Sequence, residues 1–133
     1  EIRKNSQSFR VKYGEDIPVS MHSHIRSREA CFLSSSYAVA LAKEYNTRLH
    51  ILHLSTADEI KLFSNATPLE DKRITAEACV HHLWYDDSHY DKYGTRIKWN
   101  PAIKTAYDRD ALVNAVNNDL IDIVATDHAP HTI

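Results

Sequence analysis

Ile121-Asp-Ile-Val-Ala-Thr-Asp-His-Ala-Pro-His-Thr-Ile133 carries the strongest fold signal in the chain. Its apolar, β-branched start reads as a strand, and it delivers Asp127, His128 and His131 to one place. Side chains on a strand alternate with a period of two, so Ile121, Ile123 and Ala125 are expected to share a face with Asp127. That face is expected to point into the core, with the Asp127 carboxylate at the strand's carboxyl end. A carboxylate buried there needs a metal ion, an arginine or a tight set of N–H donors. The histidine-rich turn that follows favours the metal over the competing roles of helix cap or salt-bridge partner.

Working outward, the same logic finds two earlier strands. Residues 1 to 13 read as a helix that ends at Tyr13-Gly14, where glycine can adopt a left-handed cap, and Asp16 to His24 reads as extended or irregular. From Ser27 to Tyr45, Ala30, Leu33, Tyr37, Ala38, Leu41, Ala42 and Tyr45 recur at helical spacing and predict a long amphipathic helix. Arg48 to Ser55 is a strand. Ser55 with Asp58 predicts a capping box that opens a short helix through Phe63, and Arg73 to Val80 is the next strand. Thr105 with Asp108 repeats the capping signal ahead of Ala111, Leu112, Ala115, Val116 and Leu120, the apolar face of a last helix. The order helix, strand, helix, strand, helix, strand predicts an α/β fold with parallel pairing and helices packed outside.

Composition narrows the class. A chain of 133 residues with 43% hydrophobic content and formal net charge -2 suits one soluble globular unit. No basic field suggests nucleic acid, no apolar run is long enough for a membrane span, and Glu1-Ile-Arg-Lys-Asn5 has no signal-peptide core behind it, so the cytoplasm is the expected location. Cys31 and Cys79 lack a CxxC or CxxH neighbour and read as reduced thiols. Nine histidines are the compositional excess.

In parallel α/β sheets, chemistry collects at the carboxyl ends of strands. Three such ends carry able groups here: His53 with Ser55, the stretch Glu77 to His82, and Asp127 to His131. Within Arg48–Ser55, Leu49, Ile51, His53 and Ser55 share one face. With Ile51 facing the core, His53 is expected at the inner rim and His50 beneath the outer helices. Neutral imidazole and carboxylate suit Zn²⁺, so His53 and Asp127 read as candidate metal ligands, against the plainer role of a hydrogen-bonded rim histidine. His128 reads as structural or as a neighbour of the site rather than a ligand.

These residues carry a resemblance. Ala125-Thr-Asp-His-Ala-Pro-His131, His50-Ile-Leu-His-Leu-Ser-Thr56, Ile74-Thr-Ala-Glu-Ala-Cys-Val-His-His-Leu83 and Lys98-Trp-Asn-Pro-Ala-Ile-Lys104 resemble consecutive late motifs of the dihydroorotase family of metal-dependent cyclic amidohydrolases. Ile25-Arg-Ser-Arg-Glu-Ala-Cys31 is similar to a bacterial branch of that family. The resemblance implies a (β/α)₈ TIM barrel, of which residues 1–133 form a single incomplete segment supplying roughly the last three strands and their helices.

It also implies roles. His53 matches a histidine that binds one metal of a binuclear zinc centre, and Asp127 an aspartate that binds metal and acts as general acid and base. Asn100 matches an asparagine that contacts the pyrimidine ring, and His131 a histidine that helps hold the substrate carboxylate. The implied reaction is the reversible cyclisation of N-carbamoyl-L-aspartate to (S)-dihydroorotate in pyrimidine biosynthesis. The implied partner is a small-molecule substrate, with no nucleic acid and no membrane, and a homo-oligomer is compatible with the sequence. The remaining zinc ligands are expected outside this chain.

Two histidine pairs stand apart. His22-Ser-His-Ile-Arg26 fits the His-x-His-x-Arg pattern that supplies first-strand ligands in the family, but its place in the motif order and the roughly 250 residues of a whole barrel argue for a loop role. His81-His82 belongs to the family pattern without a ligand role and is expected to be structural. Two other functions fit the same residues: a dihydropyrimidinase- or allantoinase-like hydrolase, and a catalytically silent scaffold.

Overall fold

The structure, a computed structural model, describes residues 1–129. Helix α1 (Ile2–Tyr13) ends at Gly14, whose φ of 67° lets its N–H reach the Arg10 carbonyl at 2.8 Å. Helix α2 (His22–Ile25) follows a short 3₁₀ turn. The segment expected to be extended is therefore partly helical. Helix α3 (Arg28–Glu44) is capped by Ser27, whose hydroxyl accepts the Ala30 N–H at 3.2 Å.

Strand β1 (Leu49–Ile51) leads to α4 (Ala57–Ile60), and β2 (Ile74–Cys79) runs directly into α5 (Val80–Trp84). After α6 (Tyr90–Tyr93), α7 (Ala106–Asn117) opens on a capping box between Thr105 and Asp108, and β3 (Ile123–Ala125) closes the order. The three strands form one sheet in the order β1-β2-β3, parallel throughout.

The cap of α4 falls one residue later than expected. Thr56 Oγ1 accepts the Glu59 N–H at 3.3 Å and donates to Glu59 Oε2 at 2.9 Å, while Ser55 N–H also donates to that oxygen. Both glutamate oxygens are taken, since the Ser35 hydroxyl donates to Oε1 at 2.6 Å. The buried Glu59 carboxylate needs these three donors, whereas the half-buried Asp58 is already paired with Arg28 and Lys61, which selects the later register.

The bulky members of the α3 apolar stripe are not on its buried face. Leu33, Tyr37, Leu41 and Tyr45 are exposed, whereas Ser35, Val39 and Ala42 are buried. The helix approaches β1 and α4 through small side chains, which permit a close approach that tyrosine would block.

The main core lies between the sheet and α7. Leu54, Ala76, Ala78, Leu112, Ala115 and Ile121 form it, with Ile51, Ile60 and Leu83 packed at its border. A second cluster of Tyr90, Ile97 and Ile103 holds the loop-rich stretch that leads to α7. Asp108 joins the parts: its buried carboxylate accepts the Ala57 N–H at 2.9 Å and the Thr105 hydroxyl at 2.7 Å, with the Arg28 guanidinium 3.4 Å away. Among the described residues no helix is long and apolar enough to cross a membrane.

Candidate active site

Register sets the site. Leu49 lies opposite Ile74 and Ile51 opposite Ala76, while Glu77 lies opposite Ile123 and Cys79 opposite Ala125. All three strands therefore deliver their carboxyl ends to one edge. Alternation then divides the side chains. Ile51, Ala76 and Ala78 face α7, and His50, Thr75 and Glu77 occupy the other face, where His50 Nδ1 meets Thr75 Oγ1 at 2.8 Å and Nε2 meets Glu77 Oε2 at 3.2 Å. This corrects the expected place of His50. Ile51 does face the core, but that core is the layer between sheet and helices, so His50 lies on the side away from them.

His53 stands two residues beyond Ile51, and Asp127 two residues beyond Ala125. Both leave their strands in the left-handed region, at φ 41° and φ 47°. Among the described residues the other non-glycine positions with positive φ, Asn46 and Asp119, follow the ends of α3 and α7, where such residues terminate helices. At a strand end no such capping role accounts for the strain, a pattern associated with functional positions. The His53 N–H donates to Glu77 Oε1 at 3.3 Å, which ties that turn to the buried carboxylate on β2.

Asp127 is exposed, against the expectation that it faces the core. The strand begins only at Ile123, because the Asp122 carboxylate turns back to accept the Ala76 N–H at 2.9 Å and the Lys72 ammonium at 2.5 Å. Ile121 thus drops into the α7 core while Ile123, on the opposite face, is 45% exposed. The two-residue period does not run through the whole stretch from Ile121 to Asp127.

Cys79, His81 and His82 lie between the two strand ends. His82 is buried, with Nε2 against the Pro101 carbonyl at 3.0 Å, and burial, followed by the neighbouring His81, pushes its pKa down to about 3. Burial also lowers the pKa of His81, while the Asp127 carboxylate raises it and His53 lowers it, so both strand-end groups lie within electrostatic range of that ring. Burial, then the charges of Glu77 and Asp127, push the Cys79 thiol up to about 11.

Asn100 and His53 line one cleft of about 430 Å³, together with Arg26, Cys31 and His50. Arg26 in that cleft was legible only as the last residue of the His22-Ser-His-Ile-Arg26 pattern. The two histidines of that pattern diverge: His22 Nε2 meets the Trp99 carbonyl at 2.8 Å, and exposed His24 stacks on Phe9 with ring centroids 6.2 Å apart. The two rings are not placed as a ligand pair. His128 is exposed and its N–H donates to the Thr126 hydroxyl at 3.3 Å. His131 lies outside the described residues.

The donor types suit zinc. An imidazole and a carboxylate, on strand ends that flank β2, are oxygen and nitrogen ligands of the kind zinc takes in catalytic centres.

The parallel sheet with outer helices is shared with a solved structure: the dihydropyrimidinase from Brevibacillus agri superposes with a TM-score of 0.84 over 98% of this chain and 28% of that one, at 23% identity. Sequence narrows the kinship. The chain is 35% identical over 112 residues to the dihydroorotase of Methanosphaera stadtmanae, covering 84% of this chain and 25% of that protein. It is 40% identical over 93 residues to the dihydroorotase of Carboxydothermus hydrogenoformans, covering 70% of this chain and 21% of that protein. This chain is a sequence relative of the dihydroorotases, and it spans about a quarter of the length of the curated relatives it matches. No family model matches it.

Proposed function

We propose that this chain is a segment of a (β/α)₈ dihydroorotase barrel, that β1, β2 and β3 are its last three strands, and that the protein interconverts N-carbamoyl-L-aspartate and (S)-dihydroorotate in cytoplasmic pyrimidine biosynthesis. The observation that carries the reading is the matched placement of His53 and Asp127, each two residues past a parallel strand and each in a left-handed turn on the same sheet edge. Kinship with proteins named dihydroorotase supports the substrate class.

Of the hydrolase centre's zinc ligands, His53 and Asp127 are the two this chain would supply. When bound, zinc supplies the Lewis acidity that activates water and polarises the ring carbonyl. The Asp127 carboxylate, exposed at its turn, is free to take the proton of the attacking water and return it to the ring nitrogen as the carbon–nitrogen bond breaks. Ring closure runs the same transfers backwards. Asn100 offers a donor and an acceptor on one amide, the match for a ring with both N–H and C=O, and its cleft is shared with His53. His131 donates to the substrate carboxylate.

Turnover tests the reading. Zinc-loaded protein is assayed in both directions with carbamoyl aspartate and dihydroorotate, beside hydantoin and allantoin. Conversion of the first pair, lost in Asp127→Asn, is expected. Preference for hydantoin would transfer the chain to the hydantoinase-like reading that the fold neighbours favour, and no turnover of any substrate would support a silent scaffold.

A further inference from the structure

Cys79, His81 and His82 have no part in the chemistry above, yet one donor atom from each lies within 4.8 Å of the others. The direct passage of β2 into α5 brings them together, since Cys79 caps the helix and both histidines sit in its first turn. We propose that these three side chains form a separate binding site for a single zinc-class divalent cation, with one thiolate and two imidazole ligands.

His82 supplies an independent observation. It is 3% exposed, and its Nδ1 is a buried nitrogen with no hydrogen-bond partner. The Pro101 carbonyl, 3.0 Å from Nε2, can only accept, so Nε2 carries the proton and Nδ1 keeps a free lone pair. A buried acceptor without a donor is costly, and a cation removes the cost. The arrangement is also the one metal-binding histidines use, in which the second ring nitrogen donates to a backbone carbonyl and fixes both tautomer and ring orientation.

The other two donors complete the set. The half-buried His81 ring lies 4.3 Å from His82 and 4.4 Å from Trp99, centroid to centroid, which holds it beside its neighbour. Cys79 Sγ is 4.0 Å from Glu77 Oε1, the nearest acceptor for the thiol proton. On binding, the S–H bond breaks, the proton leaves by way of Glu77 to solvent, and a sulfur–metal bond takes its place. Metal–ligand bonds of about 2.0–2.3 Å require the three atoms to draw together somewhat, a small turn of the more exposed His81 ring. Thiolate with imidazole selects zinc over magnesium or calcium, and the fourth position of a tetrahedral ion stays open to water.

Cobalt(II) is the probe, because only a cobalt–thiolate bond gives a sulfur-to-metal charge-transfer band. Titrated with Co²⁺, the wild-type protein is expected to develop that band at one equivalent per thiolate site, and Cys31→Ser is expected to keep it. Cys79→Ser abolishes it, and His81→Ala, at a position with room to change, weakens the Co²⁺ dependence of the band by more than about tenfold. His53→Asn and Asp127→Asn leave the band in place, which separates this site from the hydrolase reading. A wild-type protein with no charge-transfer band, or a band that survives in Cys79→Ser, overturns the proposal.

Discussion

His53 and Asp127 hold equivalent positions on β1 and β3, two residues beyond the strand end with left-handed φ of 41° and 47°. Between them stands β2, whose Glu77 carboxylate receives the His53 backbone N–H at 3.3 Å. The sheet thus presents an imidazole and a carboxylate on either side of a buried acid.

Asp127→Asn keeps the shape of the side chain and removes its basicity. A general acid–base contributes about 10²–10⁴-fold in rate, so kcat for ring opening is expected to fall by at least about 100-fold. Because Asp127 is exposed, the melting temperature stays near that of the wild type. Steady-state kinetics beside a thermal melt checks both halves, and undiminished kcat removes Asp127 from the mechanism.

Asp108 is a structural counterpart. Its carboxylate is buried, caps α7 and holds the Ala57 N–H at the start of α4, with Arg28 nearby. Asp108→Ala leaves the Ala57 N–H and the Thr105 hydroxyl without that acceptor, while Arg28 keeps Asp58 at 3.0 Å, and is expected to cost about 1–3 kcal/mol for each buried donor left unpaired; Asp108→Asn retains part of the bonding and costs less. Urea denaturation of the two variants measures the difference; equal stabilities would contradict the joining role.

Leu54 is fully buried at the centre of the main core, immediately after His53. Leu54→Ala is expected to destabilise by about 2–5 kcal/mol through lost burial and the cavity left behind. A loss below about 1 kcal/mol in the same denaturation assay would show that the core closes around the gap.

Stability in the presence of chelator is expected to reach a plateau near neutral pH. His82 has a folded pKa of about 3 against an ordinary 6.5, so below pH 6.5 the unfolded chain binds a proton that the folded one does not, and stability falls as pH drops toward 3. Cys79 has a folded pKa of about 11 against 9.0, so above pH 9 the folded chain keeps a proton that the unfolded one has lost, and stability falls as pH rises toward 11. Each limb has a slope of about 1.4 kcal/mol per pH unit for one proton. His82→Gln flattens the acid limb if that histidine is its source, and Cys79→Ser the alkaline one; unchanged limbs would assign them elsewhere.

Much of the fold was legible because its signals are local. Gly14, Ser27, Thr105 and Asp108 mark helix ends through caps that the structure contains, and the alternation of β2 puts Ala76 and Ala78 on one side and Glu77 on the other. What escaped depended on distant groups. The cap of α4 moved to Thr56 because Ser35, from α3, shares Glu59. The large apolar residues of α3 stayed exposed because small ones make its contacts, and Ile121 left the face of Ile123 because Asp122 binds Ala76 and Lys72. For the candidate site, the convergence of strand ends followed from the helix–strand order. The sharing of one cleft by Arg26, His53 and Asn100 did not, since no spacing in the sequence relates the loops that meet there.

An anomalous-scattering map of zinc-loaded crystals of the protein decides whether His53 and Asp127 serve one metal centre. Zinc density is expected at the carboxyl edge of the sheet, with a His53 nitrogen and an Asp127 oxygen each about 2.0–2.2 Å from a metal of the same cluster. Zinc bound elsewhere, with neither side chain within ligand distance, would contradict that shared centre.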